Sequence, residues 1–477
     1  MKKEADQKHP INNYLSFRDD AARVVKEEGD YYRYIFNGYK AEYDHLMNSG
    51  LYDALISEGV LIPHEEVNSV PLLYNKVDCS FPNIYKKILP KQICFQSYPF
   101  EWSFGQWVKA ISTYLIINRL ALKHGMILKD ATPYNFYFEC GKAIMFDTSS
   151  FTFFKNGDPW IAYRQFCSEF LSPVFLMHYN GHRWARLTRT HISGLPLNFV
   201  SKQLPFSSWF NITCLLHIHF HSRYSNDEDD RKEKLSLKLK RKGFTQEKFE
   251  LLLDSIDRNI KKISKTKIKI SNWQNYYDRD IESPEYLNHK LSAIKNWLES
   301  IKPKTVLDIG ANTGKFSFLA SLSSEKVISL ESDEASVNFI DDYVELKKIT
   351  NIKTVINDLA EPTPDLGMLG KEISNIFLRA KSEIVLSLAI VHHLFIKHKM
   401  SFEHISELLS KFSEKYVIVE FISIEDNKVE LLRKDKLINI EDYNEDSFRK
   451  SLMAYFTIIE VIKLKCSTRK LFLARKL

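Results

Sequence analysis

Beyond residue 290 the chain alternates short apolar runs with amphipathic stretches. HKLSAIKNWLESI (289–301) repeats apolar positions at three- and four-residue intervals, and apolar runs then begin near 305, 327, 353, 383 and 416. A continuous apolar run of this length reads as a strand buried on both faces, and the stretches between read as helices. Residues 291–477 are therefore expected to form an α/β domain with a doubly wound, Rossmann-like parallel sheet. The first half has a different pattern. ARVVKEEGDYYRYIF (22–36) predicts a hairpin turning at Gly29-Asp30, and KAEYDHLMNSGLYDALISEG (40–59) has a helical period. FGQWVKAISTYLIINRLALKHG (104–125) predicts a helix capped by Gly125. Residues 1–200 thus read as a mixed α/β domain. Residues 201–290 are charged, and TQEKFELLLDSIDRNIKKI (245–263) predicts a helical connector.

The chemistry concentrates at TVLDIGANTGKFS (305–317), a strand, a glycine-bearing turn and a helix start. Gly310 and Gly314 remove side chains where a ligand must approach the backbone. The loop is G-x-N-x-G, shorter than a dinucleotide fingerprint, and it starts with an acid. Asp308 would repel a pyrophosphate yet accept a hydrogen bond from an ammonium. A ligand with a nucleoside at one end and an amino acid at the other meets both conditions: S-adenosylmethionine. VISLESD (327–333) ends a second strand in Glu331, near the distance, about 20 residues on, at which an acid holds a ribose diol. VINDL (355–359) ends a third strand in Asp358.

The 305–317 stretch resembles motif I of class I methyltransferases, a resemblance that implies adenine recognition by Asp358 and a cofactor set of Asp308, Gly310, Asn312, Gly314, Glu331 and Asp358. The texts NDLAEPTPDLG (357–367), LAIVHHL (388–394) and VIVEFISIEDNKVELL (417–432) are similar to the bacterial nodulation-type (NoeA-like) methyltransferases. That similarity runs back through NWQNYYDRD (272–280), YPFEWSFGQW (98–107) and LKDATPYNFYF (128–138), so it covers most of the chain. His392 and His393 follow the fourth strand at the edge where open α/β sheets bind ligands. Imidazole titrates near neutrality, so they are the candidate general bases. Glu420, ending the fifth strand, reads more readily as structural, as do Tyr276 and Tyr277.

LKDATPYN places Asp130 five residues before Asn135, and IMFDTSS ends a strand in Asp147. This spacing is similar to the catalytic loop and metal-binding Asp of protein kinases and aminoglycoside phosphotransferases. The resemblance implies Asp130 as base, Asn135 and Asp147 as ligands of Mg2+, and ATP as co-substrate. Lys129 precedes Asp130 where the family has another residue, Thr148-Ser149 replaces Phe-Gly, and no glycine-rich phosphate loop is present. A degenerate kinase-like domain without phosphoryl transfer is the expectation, and a bifunctional enzyme the alternative.

Composition narrows the partners. The chain has 477 residues, 44% of them apolar and 27% charged, as in an ordinary globular protein of two or three domains. No apolar run is long enough to span a membrane, and MKKEADQKHP is followed by polar residues rather than a signal sequence. The six cysteines are scattered without C-x-x-C, which suits a reducing cytoplasm. The net charge of +7 is modest, and the basic runs RKEKLSLKLKRK (231–242) and KKISKTKIK (261–269) lack interleaved aromatics, which disfavours nucleic acid. A small-molecule or glycan acceptor is the expected partner. Oligomeric state is not encoded in any of these patterns.

Overall fold

The computed structural model of the protein describes residues 19–67, 83–224, 244–265, 283–433 and 442–477. The basic run 231–242, residues 266–269 of the run 261–269 and the aromatic segment 272–280 lie outside them.

The first half opens with the expected hairpin, its turn at Glu28-Gly29 rather than at Gly29-Asp30. Strand β1 (Ala22–Glu27) pairs antiparallel with β2 (Asp30–Phe36) through Glu28 and Gly29, both at positive φ, the geometry of a tight two-residue turn. With β3 (His64–Val67) and β4 (Ile84–Pro90) they form an antiparallel sheet in the order β1-β2-β4-β3. The helical period at 40–59 is split into Lys40–Asn48 and Leu51–Ser57 by Gly50, whose φ of 84° breaks the helix. The helix Phe104–Lys123 starts at a capping box between Ser103 and Gln106 and buries Trp107, Ile111, Tyr114 and Leu115. Two small pairs follow, β5 (Met126–Leu128) with β8 (Phe151–Phe153) and β6 (Phe136–Glu139) with β7 (Lys142–Met145).

The described helix of the charged middle packs into the first half. The helix Gln246–Ser264 buries Phe249, Leu253, Ile256 and Ile260 in the same core as Trp107, Tyr114 and Phe170. Its charges occupy only the outward face, and the inward stripe is apolar, so packing takes it into the first domain. The helix Pro284–Ile301 packs instead with the C-terminal sheet through Ile294, Trp297 and Leu298.

That sheet has seven strands. β9 (Thr305–Ile309) lies between β10 (Lys326–Glu331) and β12 (Ser382–Ser387), with β11 (Ile352–Ile356) beyond β10 and β13 (Ser413–Phe421) beyond β12, all parallel. The last two strands depart from a wholly parallel sheet. β15 (Lys470–Lys476) inserts antiparallel between β13 and β14 (Phe456–Lys463), giving the order β11-β10-β9-β12-β13-β15-β14. A short link cannot return the chain to a parallel register, so β14 and β15 pair as a hairpin.

The two halves share a polar seam. Glu334 Oε1 accepts from the Phe104 backbone N–H at 2.7 Å, and the Gln106 side-chain amide donates to Thr354 Oγ1 at 3.0 Å. A Cβ on Gly141, at φ +72°, would stand 2.8 Å from the Asp341 carbonyl oxygen, so glycine permits the close approach there.

Candidate active site

A cavity opens at the C-terminal ends of β9, β10, β11 and β12, where the strand order reverses direction. Its lining includes Gly310, Asn312, Glu331, Asp358, Ile390 and His393. The turn after β9 reaches it because Gly310 and Asn312 have φ of 69° and 50°. A Cβ on Gly310 would lie 2.7 Å from Ile390 Cδ1, so a larger residue would have to displace the end of that side chain, and the positive φ would strain it as well. Gly314 is one step removed. Its φ of 80° starts the helix Lys315–Ser321, and a Cβ there would meet Ile340 Cγ1 at 2.9 Å.

Glu331 is the electrostatic centre of the cavity. Its carboxylate accepts from the backbone N–H groups of Asn312 at 2.8 Å, Ser332 at 2.6 Å and Asp333 at 2.9 Å. Burial pushes its pKa up while those three donors pull it down, with the upward effect prevailing. Asp358 is more open. Its Oδ1 accepts from Ala360 N at 3.0 Å, and Oδ2 lies 3.7 Å from Arg186 of the first half.

The structure does not bring all the sequence candidates into the cavity. Asp308 is 2% exposed, takes a 2.6 Å hydrogen bond from Ser317 Oγ and does not line the cavity. Burial raises its pKa to about 6. His392 is 1% exposed and also stays behind the lining, because it faces inward from the helix Val391–His398 while His393, the next residue, faces the cavity. Burial lowers the pKa of both, that of His393 to about 4. Glu420 is fully buried, bonded to Lys290 Nζ at 2.7 Å and to the Tyr286 hydroxyl at 2.6 Å. Tyr276 and Tyr277 lie outside the described residues.

Asn357 is a cavity residue that sequence reasoning passed over. Its side-chain N–H donates to Thr363 Oγ1 at 2.8 Å, and its buried Oδ1 has no hydrogen-bond partner among the described residues. A buried carbonyl oxygen without a donor, beside Asp358, fits an exocyclic amine such as that of adenine. The signal was its adjacency to Asp358 in VINDL.

In the first half, Asn135 and Asp147 do meet. Asn135 Nδ2 donates to Asp147 Oδ2 at 3.1 Å. The Asp147 carboxylate is also bonded by Ser149 and Ser150 and ion-paired with Arg33, which reaches it from β2. Burial lowers the Arg33 pKa to about 10, still far above neutrality, so the guanidinium keeps its charge. Asp130 is half-buried, and burial raises its pKa. No cluster of three or more His, Cys, Asp or Glu suited to a metal occurs among the described residues. Arg33 pairs with Asp147, and the kinase-like reading of this domain rests on sequence alone.

The seven-stranded sheet, the glycine turn after its first strand and the acid ending its second have the arrangement of class I S-adenosylmethionine-dependent methyltransferase domains. Residues 270–381 match the family described as tellurite resistance protein TehB. The chain is 26% identical over 423 residues to nodulation protein NoeA of Rhizobium meliloti (strain 1021), spanning 88% of this chain and 87% of the relative. Among solved structures it is similar to the N-methyltransferase NodS from Bradyrhizobium japonicum WM9 in complex with S-adenosylhomocysteine. That likeness has 10% identity and a TM-score of 0.32, and covers 43% of this chain and 99% of NodS. A S-adenosylmethionine-dependent methyltransferase from Aquifex aeolicus is similar at 16% identity and a TM-score of 0.31, covering 44% of this chain and all of that one.

Proposed function

We propose that the protein transfers a methyl group from S-adenosylmethionine to a polar small molecule or a glycan. The observation that carries the reading is the convergence of Glu331, the unpartnered Asn357 oxygen and Gly310 on one cavity at the sheet's reversal point. Glu331 would hold the ribose hydroxyls, and Asn357 with Asp358 the adenine edge, while Leu330, Leu359 and Ile390 supply apolar walls. Bound there, the cofactor supplies an electrophilic methyl on sulfonium. Asp308 acts indirectly, tied to Ser317 behind the turn that carries Gly310. His393 faces the cavity and is neutral at physiological pH, the form in which an imidazole accepts a proton from an acceptor hydroxyl. His392 positions the helix that carries it. The relative's name, nodulation protein, is compatible with a glycan acceptor. Incubation of the purified chain with methyl-labelled S-adenosylmethionine and candidate oligosaccharides tests the reading. Calorimetry with S-adenosylhomocysteine tests the cofactor half alone, and absence of binding would sink it.

The bifunctional alternative needs Asn135 and Asp147 to hold Mg2+ against ATP with Asp130 as base. The arrangement does not favour it, because a metal would have to displace Arg33 from a buried, satisfied carboxylate. Release of phosphate from labelled ATP that disappears in Asp147→Asn would restore it.

A further inference from the structure

Between Glu169 and Asp227 the sequence contains no Asp or Glu but five Lys or Arg, in a chain that carries 60 acids overall. Within this acid-free stretch the fold turns large apolar side chains outward. Phe206 and Phe210 are 76% and 80% exposed, and their rings meet edge to face at 5.6 Å. Ile212, Leu216 and Phe220 continue the row at four-residue spacing on the helical segment 212–224, exposed by 58%, 47% and 38%. The intervening Cys214, His217, Ile218 and His219 are buried, so the stripe is an outward face by construction and not a loosened core. Trp209 stacks on His219 at 4.2 Å and fixes the base of the Phe206–Phe210 turn. Arg223 closes the far end, its guanidinium lying over both the Trp209 and Phe220 rings, and exposed Lys202 belongs to the neighbouring helix Leu197–Gln203.

We propose that this face docks on an anionic lipid surface, with Phe206 and Phe210 inserting among the acyl chains and Arg223 and Lys202 meeting the headgroups. Two rings this exposed protrude as knobs, a shape that suits a deformable surface. Contiguous exposed apolar side chains mark contact sites, and an apolar face rimmed by cations is the make-up of an interfacial membrane anchor. No acid within the stretch itself opposes a phosphate-rich surface. No described helix is long and apolar enough to cross a membrane, so the attachment is peripheral. The inference does not depend on the methyl acceptor.

Sedimentation of the full-length chain with vesicles tests it. One set is phosphatidylcholine alone, and the other has equal parts of phosphatidylcholine and phosphatidylglycerol. The chain is expected to pellet with the phosphatidylglycerol vesicles at moderate ionic strength and to stay largely in solution with phosphatidylcholine alone. Added salt should weaken the binding, as screening shortens the reach of the cations. The double variant Phe206→Ser/Phe210→Ser should bind at least about tenfold more weakly, since it removes the two aromatic groups that the bilayer would bury. Lys202→Glu should weaken binding by several-fold without altering the apolar row. An unchanged thermal transition in both variants shows that they fold. A parent chain that ignores both vesicles, or a double variant that pellets like the parent, overturns the proposal. So does a parent dimer in light scattering that the double variant converts to monomer, because a second copy would then be what covers this face.

Discussion

Glu331 and His393 face the same cavity but are tuned in opposite senses. Glu331 is held by three backbone donors that also shape the Asn312 turn, so its removal has both a binding and a local structural cost. Glu331→Gln, which keeps the shape and loses the charge, is predicted to weaken S-adenosylmethionine by about 1.5–3 kcal/mol, the scale for a hydrogen bond to a charged group. Calorimetry reads this directly, and parental affinity would remove Glu331 from the ribose role. His393 has its pKa lowered to about 4 by burial. If it is the base, kcat/KM should fall only as pH drops towards about 4, where the imidazole protonates, and stay level through neutrality. His393→Ala should lower turnover about 100- to 10,000-fold with little effect on cofactor affinity. His392→Asn should instead keep most of the turnover and lower the melting temperature, since that ring is packed behind the wall.

Elements of the C-terminal domain are tied by buried charge. The helix Pro284–Ile301 is fastened to β13 by Lys290 and Tyr286 on Glu420, and Arg469 extends the chain to Asp426 at 2.7 Å. Although burial alone would raise the Glu420 pKa, Lys290 and Arg469 hold it below its ordinary value. Lys290→Met leaves that carboxylate buried without its cation, and a loss of about 3–5 kcal/mol is expected in urea denaturation. A loss under about 1 kcal/mol would mean that Arg469 and Tyr286 suffice. The same logic acts at the seam. Burial raises the Glu334 pKa to about 7, so its folded form binds a proton more tightly than its unfolded form. The sign follows: the ionised group costs stability, a cost absent below the unfolded pKa and growing as pH rises towards about 7. Glu334→Gln should therefore gain on the parent as pH rises from about 4.5 to 7, by about 1–3 kcal/mol, in paired denaturation curves at the two ends.

At the scale of the whole molecule, the cofactor turn and the interface are one piece of chain. Glu331 ends β10 in the cavity, and Glu334, three residues on, caps the helix Phe104–Lys123 of the other half. A buried relay runs in parallel, from Asn357 through Thr363 to Glu101, which is also paired with Arg379. Ligand binding that stiffens this turn should reach the first domain, because anything that binds only the folded state stabilises it. Saturating S-adenosylmethionine is expected to slow amide exchange in the first turns of Phe104–Lys123 as well as around 310–314. Protection confined to the C-terminal domain would show that the seam transmits nothing.

Much of the C-terminal domain was legible because its signals are local. Apolar runs locate β9 to β13, and Gly310 with Glu331 locates the cavity, since a strand end and its turn are set within a few residues. The hairpin of β1 and β2 was legible for the same reason. What the tertiary structure alone decided depends on contacts between distant segments. Adjacent histidines in HH are equivalent in sequence, yet helix phase sends His392 into the core and His393 to the cavity. Asp308 reads as a ligand acid until Ser317 and the surrounding packing enclose it. The charged helix Gln246–Ser264 reads as a connector, but its apolar stripe completes the core of the first domain. Asp147 reads as a metal ligand, and Arg33, more than a hundred positions away in sequence, neutralises it. Local patterns specify strands, turns and their chemistry; which side chain is buried, paired or left facing a ligand is settled only when the segments pack.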